Sequence, residues 1–223
     1  MQSREVSKSK RPHRMKTLKL KIFETLKLKK MKIGLYFGTF NPIHVGHLII
    51  ANHMAEFSDL DQIWMVVTPH NPLKKKSTLL EDHHRLQMVF LATEDYPKLK
   101  PSDIEFKLPQ PNYTVNTLAY LQEKFPENEF SLIMGEDNLN SFHKWKNYEV
   151  ILENHEIYVY PRISSEEIDS QLINHPKIHI IDAPIVEISS TKIRESIKLG
   201  KNVKPLLPEK VWDYIDHNLF YKK

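Results

Sequence analysis

The chain has 223 residues, with 32 Lys/Arg, 28 Asp/Glu, 12 His and no cysteine, which suits one domain with a sizeable core and excludes disulfide frameworks, thiolate chemistry and cysteine metal sites. The net charge of +4 is unevenly placed: residues 1–30 hold eleven basic and two acidic side chains, so the rest is acidic by five and has no general attraction for nucleic acid. No apolar run approaches the length of a membrane span. In the first thirty residues Leu18, Leu20 and Ile22 alternate with lysine, which is not the unbroken core of a secretory signal. A basic amphipathic helix over 17–29, suited to a membrane surface or an RNA backbone, competes with a simpler reading. In the simpler reading residues 1–30 are a basic, disordered extension and the domain occupies 31–223, with Met31 opening its first strand.

From Met31 the pattern alternates. Strands are predicted at about 32–37, 62–68, 102–106, 129–134, 155–160 and 177–182. Helices are predicted at about 46–57, 81–93, 114–124, 139–153, 190–198 and 208–218. Short apolar runs such as Ile63-Trp64-Met65-Val66-Val67 suit strands covered on both faces. The order predicts an α/β fold with a doubly wound parallel sheet and C-terminal helices. Ligands in that architecture sit beyond the carboxyl ends of the strands.

The stretch Gly38-Thr39-Phe40-Asn41-Pro42-Ile43-His44-Val45-Gly46-His47 joins the first strand to the first helix. A tight loop running into a helix start leaves unpaired N–H groups and a favourable dipole for an anion. His44 and His47 are three apart, on one helix face, where both rings can reach one phosphate. Gly46 is read as leaving the backbone open to a ligand. After the second strand, His70-Asn71-Pro72-Leu73-Lys74-Lys75-Lys76 forms a cationic loop at the ligand edge, and Arg85 in the next helix offers a further cation.

Asn112-Tyr113-Thr114-Val115-Asn116-Thr117-Leu118 opens the third helix, with Thr114 suited to its cap and Tyr113 to a staple or a ring platform. Gly135-Glu136-Asp137-Asn138 follows the fourth strand and presents a carboxylate to a base or ribose. Trp145 is either a core residue or a stacking surface for a heterocycle. Near the end, Ile188-Ser189-Ser190-Thr191-Lys192-Ile193-Arg194 supplies hydroxyl donors at a helix start. The Arg194 guanidinium, four residues after Ser190, can fold back to the same terminus, making a second phosphate cradle.

In this order, GTFNPIHVGH, NYTVNTL, GEDN with Trp145, and ISSTKIR resemble the bacterial nicotinate-nucleotide adenylyltransferases, within the nucleotidyltransferases marked by HxGH. The likeness spans about residues 31–219. It departs at Asn41, where aspartate is common, at NPLKKK, and at Pro161-Arg162-Ile163. The resemblance implies a Rossmann-like nucleotidyltransferase fold and adenylyl transfer from ATP to nicotinate mononucleotide. His44, His47 and Arg194 would be catalytic. The ATP site would comprise Gly38, Thr39, Phe40, His44, His47, Gly135, Asp137, Ser189, Ser190, Thr191 and Arg194. Asn41, Lys74, Tyr113, Thr114 and Trp145 would take the acceptor. Magnesium would be carried by the ATP phosphates, with no protein metal ligands. The expected setting is the cytoplasm, without membrane or nucleic-acid partners, and homo-oligomers are left open. The same fold acting on nicotinamide mononucleotide or phosphopantetheine is the nearest alternative. An RNA-binding module using the basic tail is the remote one.

Overall fold

Met31–Gly38 forms β1, whose middle residues Ile33, Gly34, Leu35 and Tyr36 are all buried. Burial on both sides follows from its place at the centre of a six-stranded sheet in a computed structural model that describes residues 30–69, 79–163 and 170–222. The other strands are β2 (Gln62–Val67), β3 (Leu99–Ser102), β4 (Asn128–Gly135), β5 (Ile157–Tyr160) and β6 (Ile178–Ile180). All pairs are parallel and the order is β3-β2-β1-β4-β5-β6. That order reverses between β1 and β4, which opens a crevice at their carboxyl ends. The α/β doubly wound reading therefore holds.

The helices are α1 (Val45–Phe57), α2 (Asp82–Thr93), α3 (Thr114–Lys124), α4 (Glu136–Asn140), α5 (Tyr148–Asn154), α6 (Ser170–Ile173), α7 (Ser190–Lys198) and α8 (Glu209–His217). They cover both faces of the sheet. One core joins Tyr36, Met65 and Ile133 to Met54 of α1, Met88 of α2, Ile193 of α7 and Val211 of α8. The other joins Leu35, Leu132 and Val159 to Leu118 of α3, Leu139 of α4 and Ile151 of α5. Adjacent residues of β4, Leu132 and Ile133, enter opposite cores because strand side chains alternate.

Two predicted elements shift and a third element is new. The third strand was expected at 102–106, but β3 ends at Ser102 and Ile104–Lys107 is a 3₁₀ turn. Pro101 is tolerated in β3 because this is an edge strand paired only to β2. The single helix expected over 139–153 is instead α4, a 3₁₀ turn at Phe142–Lys144, and α5. Asn147, left-handed at φ 52°, makes the break before α5. The four-residue α6 was not anticipated.

Candidate active site

The loop after β1 doubles back on itself. Phe40 sits at φ 44°, a conformation costly for a bulky side chain and kept only where the surroundings demand it. Its ring lies over Gly38, so near that a Cβ there would meet it at 2.8 Å. Asn41 and His44 are buried, and His44 is the residue that caps α1. The backbone N–H of His44 donates to His47 Nδ1 at 3.2 Å. With Nδ1 accepting, the neutral His47 ring carries its proton on Nε2. The two imidazoles stack with centroids 3.7 Å apart and planes 22° from parallel.

Both rings are held neutral. Burial, with the nearby Arg162 cation, lowers His44 to about 4. Burial, then His44 and Arg162, depresses His47 well below the ordinary histidine range. The Nδ1 of His44 is buried without a hydrogen-bond partner. At the start of α1 the chain thus presents polar imidazole atoms that a polyphosphate would engage.

The second hydroxyl-rich helix start docks onto this loop. Ser190 Oγ donates to the Pro42 carbonyl at 2.9 Å, and Arg194 donates to the Asn41 carbonyl at 2.8 Å and to Thr191 Oγ1 at 3.4 Å. Ser189 is the capping residue of α7 and Thr191 is exposed beside it. Two motifs about 150 residues apart in sequence therefore share one loop. Gly46 is explained by this docking and not by ligand access: a Cβ would meet Val186 Cγ1 at 2.8 Å and the His44 ring at 3.1 Å.

Arg162 was not singled out as a site residue, yet it stands between the motifs. Its backbone N–H donates to Glu136 Oε2 at 2.9 Å, its Nη1 to the Val186 carbonyl at 3.3 Å, and its Nη2 to Tyr160 Oη at 3.4 Å. Asp137 Oδ1 lies 3.9 Å from its Nε. The GED turn after β4 thus holds an arginine, and Gly135 allows it, since a Cβ there would meet Asp137 Oδ1 at 2.5 Å. The available signals were its place in the departing Pro161-Arg162-Ile163 stretch and its position two residues past β5, at the carboxyl edge.

Other expectations land differently. Arg85 has no exposed surface. It donates to the carbonyls of Thr39 (2.6 Å), Thr68 (2.8 Å), Leu80 (3.0 Å) and Pro69 (3.2 Å) and to Asp82 Oδ1 (2.6 Å). It is a clamp between the loops after β1 and β2, not a free cation. Asn41 Oδ1 accepts from Tyr221 Oη at 2.7 Å and from the Leu80 N–H at 3.3 Å. Lys74 lies outside the described residues, as does the cationic loop around it.

Tyr113, Thr114 and Trp145 come together around a cavity of about 450 Å³. Lys146 Nζ stands 4.5 Å above the Tyr113 ring at this cavity. Tyr36 and Tyr160 line it as well, joined hydroxyl to hydroxyl at 3.2 Å. On their other side Tyr36 packs on His47, with centroids 6.2 Å apart, and Arg162 covers Tyr160 at 5.3 Å. A pair of tyrosines therefore forms the boundary between an aromatic cavity and the imidazole stack.

The family model described as Cytidylyltransferase-like matches residues 35–196. A protein of Flavobacterium psychrophilum named "Probable nicotinate-nucleotide adenylyltransferase" is 81% identical over 193 residues, covering 86% of this chain and all of the relative. The chain belongs to the nicotinate-nucleotide adenylyltransferase family. A Flavobacterium johnsoniae member is 80% identical over the same shares, and one from Bacteroides fragilis 47% identical over 84% of this chain and 92% of its own. Among solved structures, the Plasmodium falciparum nicotinic acid mononucleotide adenylyltransferase complexed with NaAD shares the fold at TM-score 0.72 and 21% identity, over 86% of this chain and 98% of that one. The matched stretch, residues 35–196, takes in the histidine loop, ISSTKIR and the residues that line the aromatic cavity.

Proposed function

We propose that this chain transfers the adenylyl group of ATP to nicotinate mononucleotide, giving deamido-NAD and pyrophosphate. The observation that carries the reading is the meeting of two helix starts, α1 with its imidazoles and α7 with its hydroxyls and arginine, on one loop beside a cavity walled by Trp145, Tyr113 and Thr114. Family membership agrees with it.

An oxygen of the mononucleotide 5′-phosphate attacks the α-phosphorus, and the bond from that phosphorus to the β-phosphate bridge breaks. The electron pair leaves on pyrophosphate. The nucleophile is already an anion, so no protein base is required. Catalysis is in-line positioning plus preorganised donors for charge that moves towards the leaving group. His47, with its Nε2 proton, and His44 donate to phosphate oxygens. Arg162 acts on both rings and Arg194 sits on the loop that carries them, and Ser189, Ser190 and Thr191 add hydroxyls and helix-start N–H groups. Gly38, Thr39 and Phe40 shape the nucleotide path, and Gly135 and Asp137 border the adenosine side. Tyr113, Thr114 and Trp145 surround the pyridine ring, and Asn41 holds the loop between both substrates. Lys74 remains assigned to the acceptor phosphate.

Imidazole and guanidinium groups at the two helix starts are not hard oxygen ligands, so a magnesium ion here would be held by the ATP phosphates and not by these side chains. When bound, that ion neutralises charge on the departing pyrophosphate. No described helix is long and apolar enough to cross a membrane, and we place the reaction in the cytoplasm. The test is pyrophosphate release from Mg-ATP with nicotinate mononucleotide, nicotinamide mononucleotide and phosphopantetheine offered separately. The acid mononucleotide is expected to give the highest kcat/KM, and Trp145→Ala to raise its KM. A higher kcat/KM for either competitor would overturn the specificity.

A further inference from the structure

Glu105 is a charged residue placed where charge is costly. It lies in the 3₁₀ turn after β3, is 2% exposed, and lines the same cavity as Thr114 and Trp145. One carboxylate oxygen, Oε1, accepts from Thr117 Oγ1 at 2.8 Å, which anchors the side chain to the first turn of α3. The other, Oε2, is buried and has no hydrogen-bond partner. Asn112 repeats the pattern: its Nδ2 donates to the Glu105 carbonyl at 3.1 Å, while its Oδ1 is buried, unpartnered, and lines the same cavity. Buried polar atoms are almost always paired, and two orphans sharing one cavity point to a ligand that pairs them.

Both orphans are acceptors, so the missing partner is a donor. The pyridine carboxylate of nicotinate mononucleotide has none to give. The donors that nucleotide carries are the hydroxyls of its ribose. We infer that Glu105 and Asn112 are specificity-determining residues that accept hydrogen bonds from the ribose hydroxyls of the acceptor nucleotide. This rests on the adenylyl-transfer reading and deepens it. The sugar hydroxyls would give both oxygens the donors they lack, in place of any solvent they displace. A deoxy analogue displaces the same solvent without supplying the donor, so it is rejected far more strongly than loss of one hydroxyl from solvent would predict. Burial raises the Glu105 carboxyl, while the Thr117 hydrogen bond and the Thr68 hydroxyl, which lies close by but outside hydrogen-bond geometry, oppose that rise.

The test compares nicotinate mononucleotide with its 2′-deoxy and 3′-deoxy forms in the wild type, Glu105→Met and Asn112→Ala. Methionine preserves volume and leaves Thr117 a second acceptor, the Tyr113 carbonyl at 3.5 Å. The wild type is expected to lose ~10-fold or more in kcat/KM with at least one deoxy form. In either variant that penalty is expected to shrink to about threefold or less, because the discriminating acceptor is gone. Asn112→Ala carries the comparison alone should Glu105→Met not fold. Equal penalties in the wild type and a folded variant would overturn the inference, and so would a wild type indifferent to the missing hydroxyl. A wild type that adenylates only phosphopantetheine would overturn the underlying function, and this assignment with it.

Discussion

Two stacked imidazoles are held neutral by burial, so a bound phosphate would meet them as donors, not as cations. For His44 the pKa is lower in the folded chain, about 4, than the ordinary 6.5. A base depressed by folding contributes stability above 6.5 and loses it as pH falls from 6.5 towards 4, since the unfolded chain binds the proton first. The urea midpoint is therefore expected to drop across that window, and to drop less in His44→Asn. An equal slope in both would remove His44 as the cause. The same neutrality sets the expectation for His47→Ala. Loss of one preorganised donor typically costs about 10²–10³ in kcat, and a folded variant with near-normal turnover would take His47 out of the catalytic set. Arg162→Lys keeps a cation but loses the planar fork that reaches Tyr160 and Val186 together. It is expected to lower kcat/KM for ATP at least tenfold, roughly 1.4 kcal/mol, with a smaller effect on acceptor KM. A loss confined to acceptor KM would move Arg162 to the other substrate.

At the scale of elements, the candidate site is built where α7 docks on the loop before α1, and Gly46 is where α1 meets Val186 of the segment leading into α7. Gly46→Ala places a methyl against Val186 and His44, an overpacking that typically costs about 1–3 kcal/mol. Turnover is expected to fall with the displaced His44 ring, and Val186→Ala is expected to restore part of both stability and turnover. Strict additivity of the two substitutions would show that the contact is not the cause. This contact also marks what could be read from sequence. The starts of α1 and α7 were legible, because caps, glycines and hydroxyls act within a few neighbouring residues. The sheet was legible as well, because runs such as Ile63–Val67 carry their own apolar signature. Trp145 was left between core and ligand surface by the sequence, and in the structure it does both, packing edge-on against buried Phe142 and lining the cavity. Arg162, Arg85 and Glu105 were not legible in this way. Each takes its meaning from segments brought together only in the fold: Arg162 from Tyr160, Glu136 and Val186, Arg85 from four carbonyls on separate loops, and Glu105 from Asn112 and Thr117. The break at Asn147 escaped for the converse reason, since helical periodicity continues across it while a single left-handed residue turns the chain.

For the molecule as a whole, the open question is residues 1–30, which lie outside the described fold apart from Lys30. We propose that adenylyl transfer does not need them. β1 opens at Met31, and residues 31–223 cluster as a unit by themselves. Every residue assigned a role lies at Tyr36 or beyond it, and 193 residues of this chain suffice to match the whole of the Flavobacterium psychrophilum relative. What the first thirty residues add is charge, eleven basic side chains against two acidic ones, and both substrates are anions. Any help is therefore electrostatic and fades as salt shortens the screening length to about 8 Å at 0.15 M. Full-length protein and a form starting at Met31 are expected to give kcat/KM values within about twofold at 0.15 M salt, with a wider gap only at low salt. The same pair, tested for retention of RNA, separates a second function from a catalytic one. Salt-sensitive RNA binding lost on truncation, with turnover intact, would make the basic segment an independent arm. A tenfold loss of kcat/KM that persists at 0.15 M would instead make it part of the enzyme, and would defeat the division at Met31.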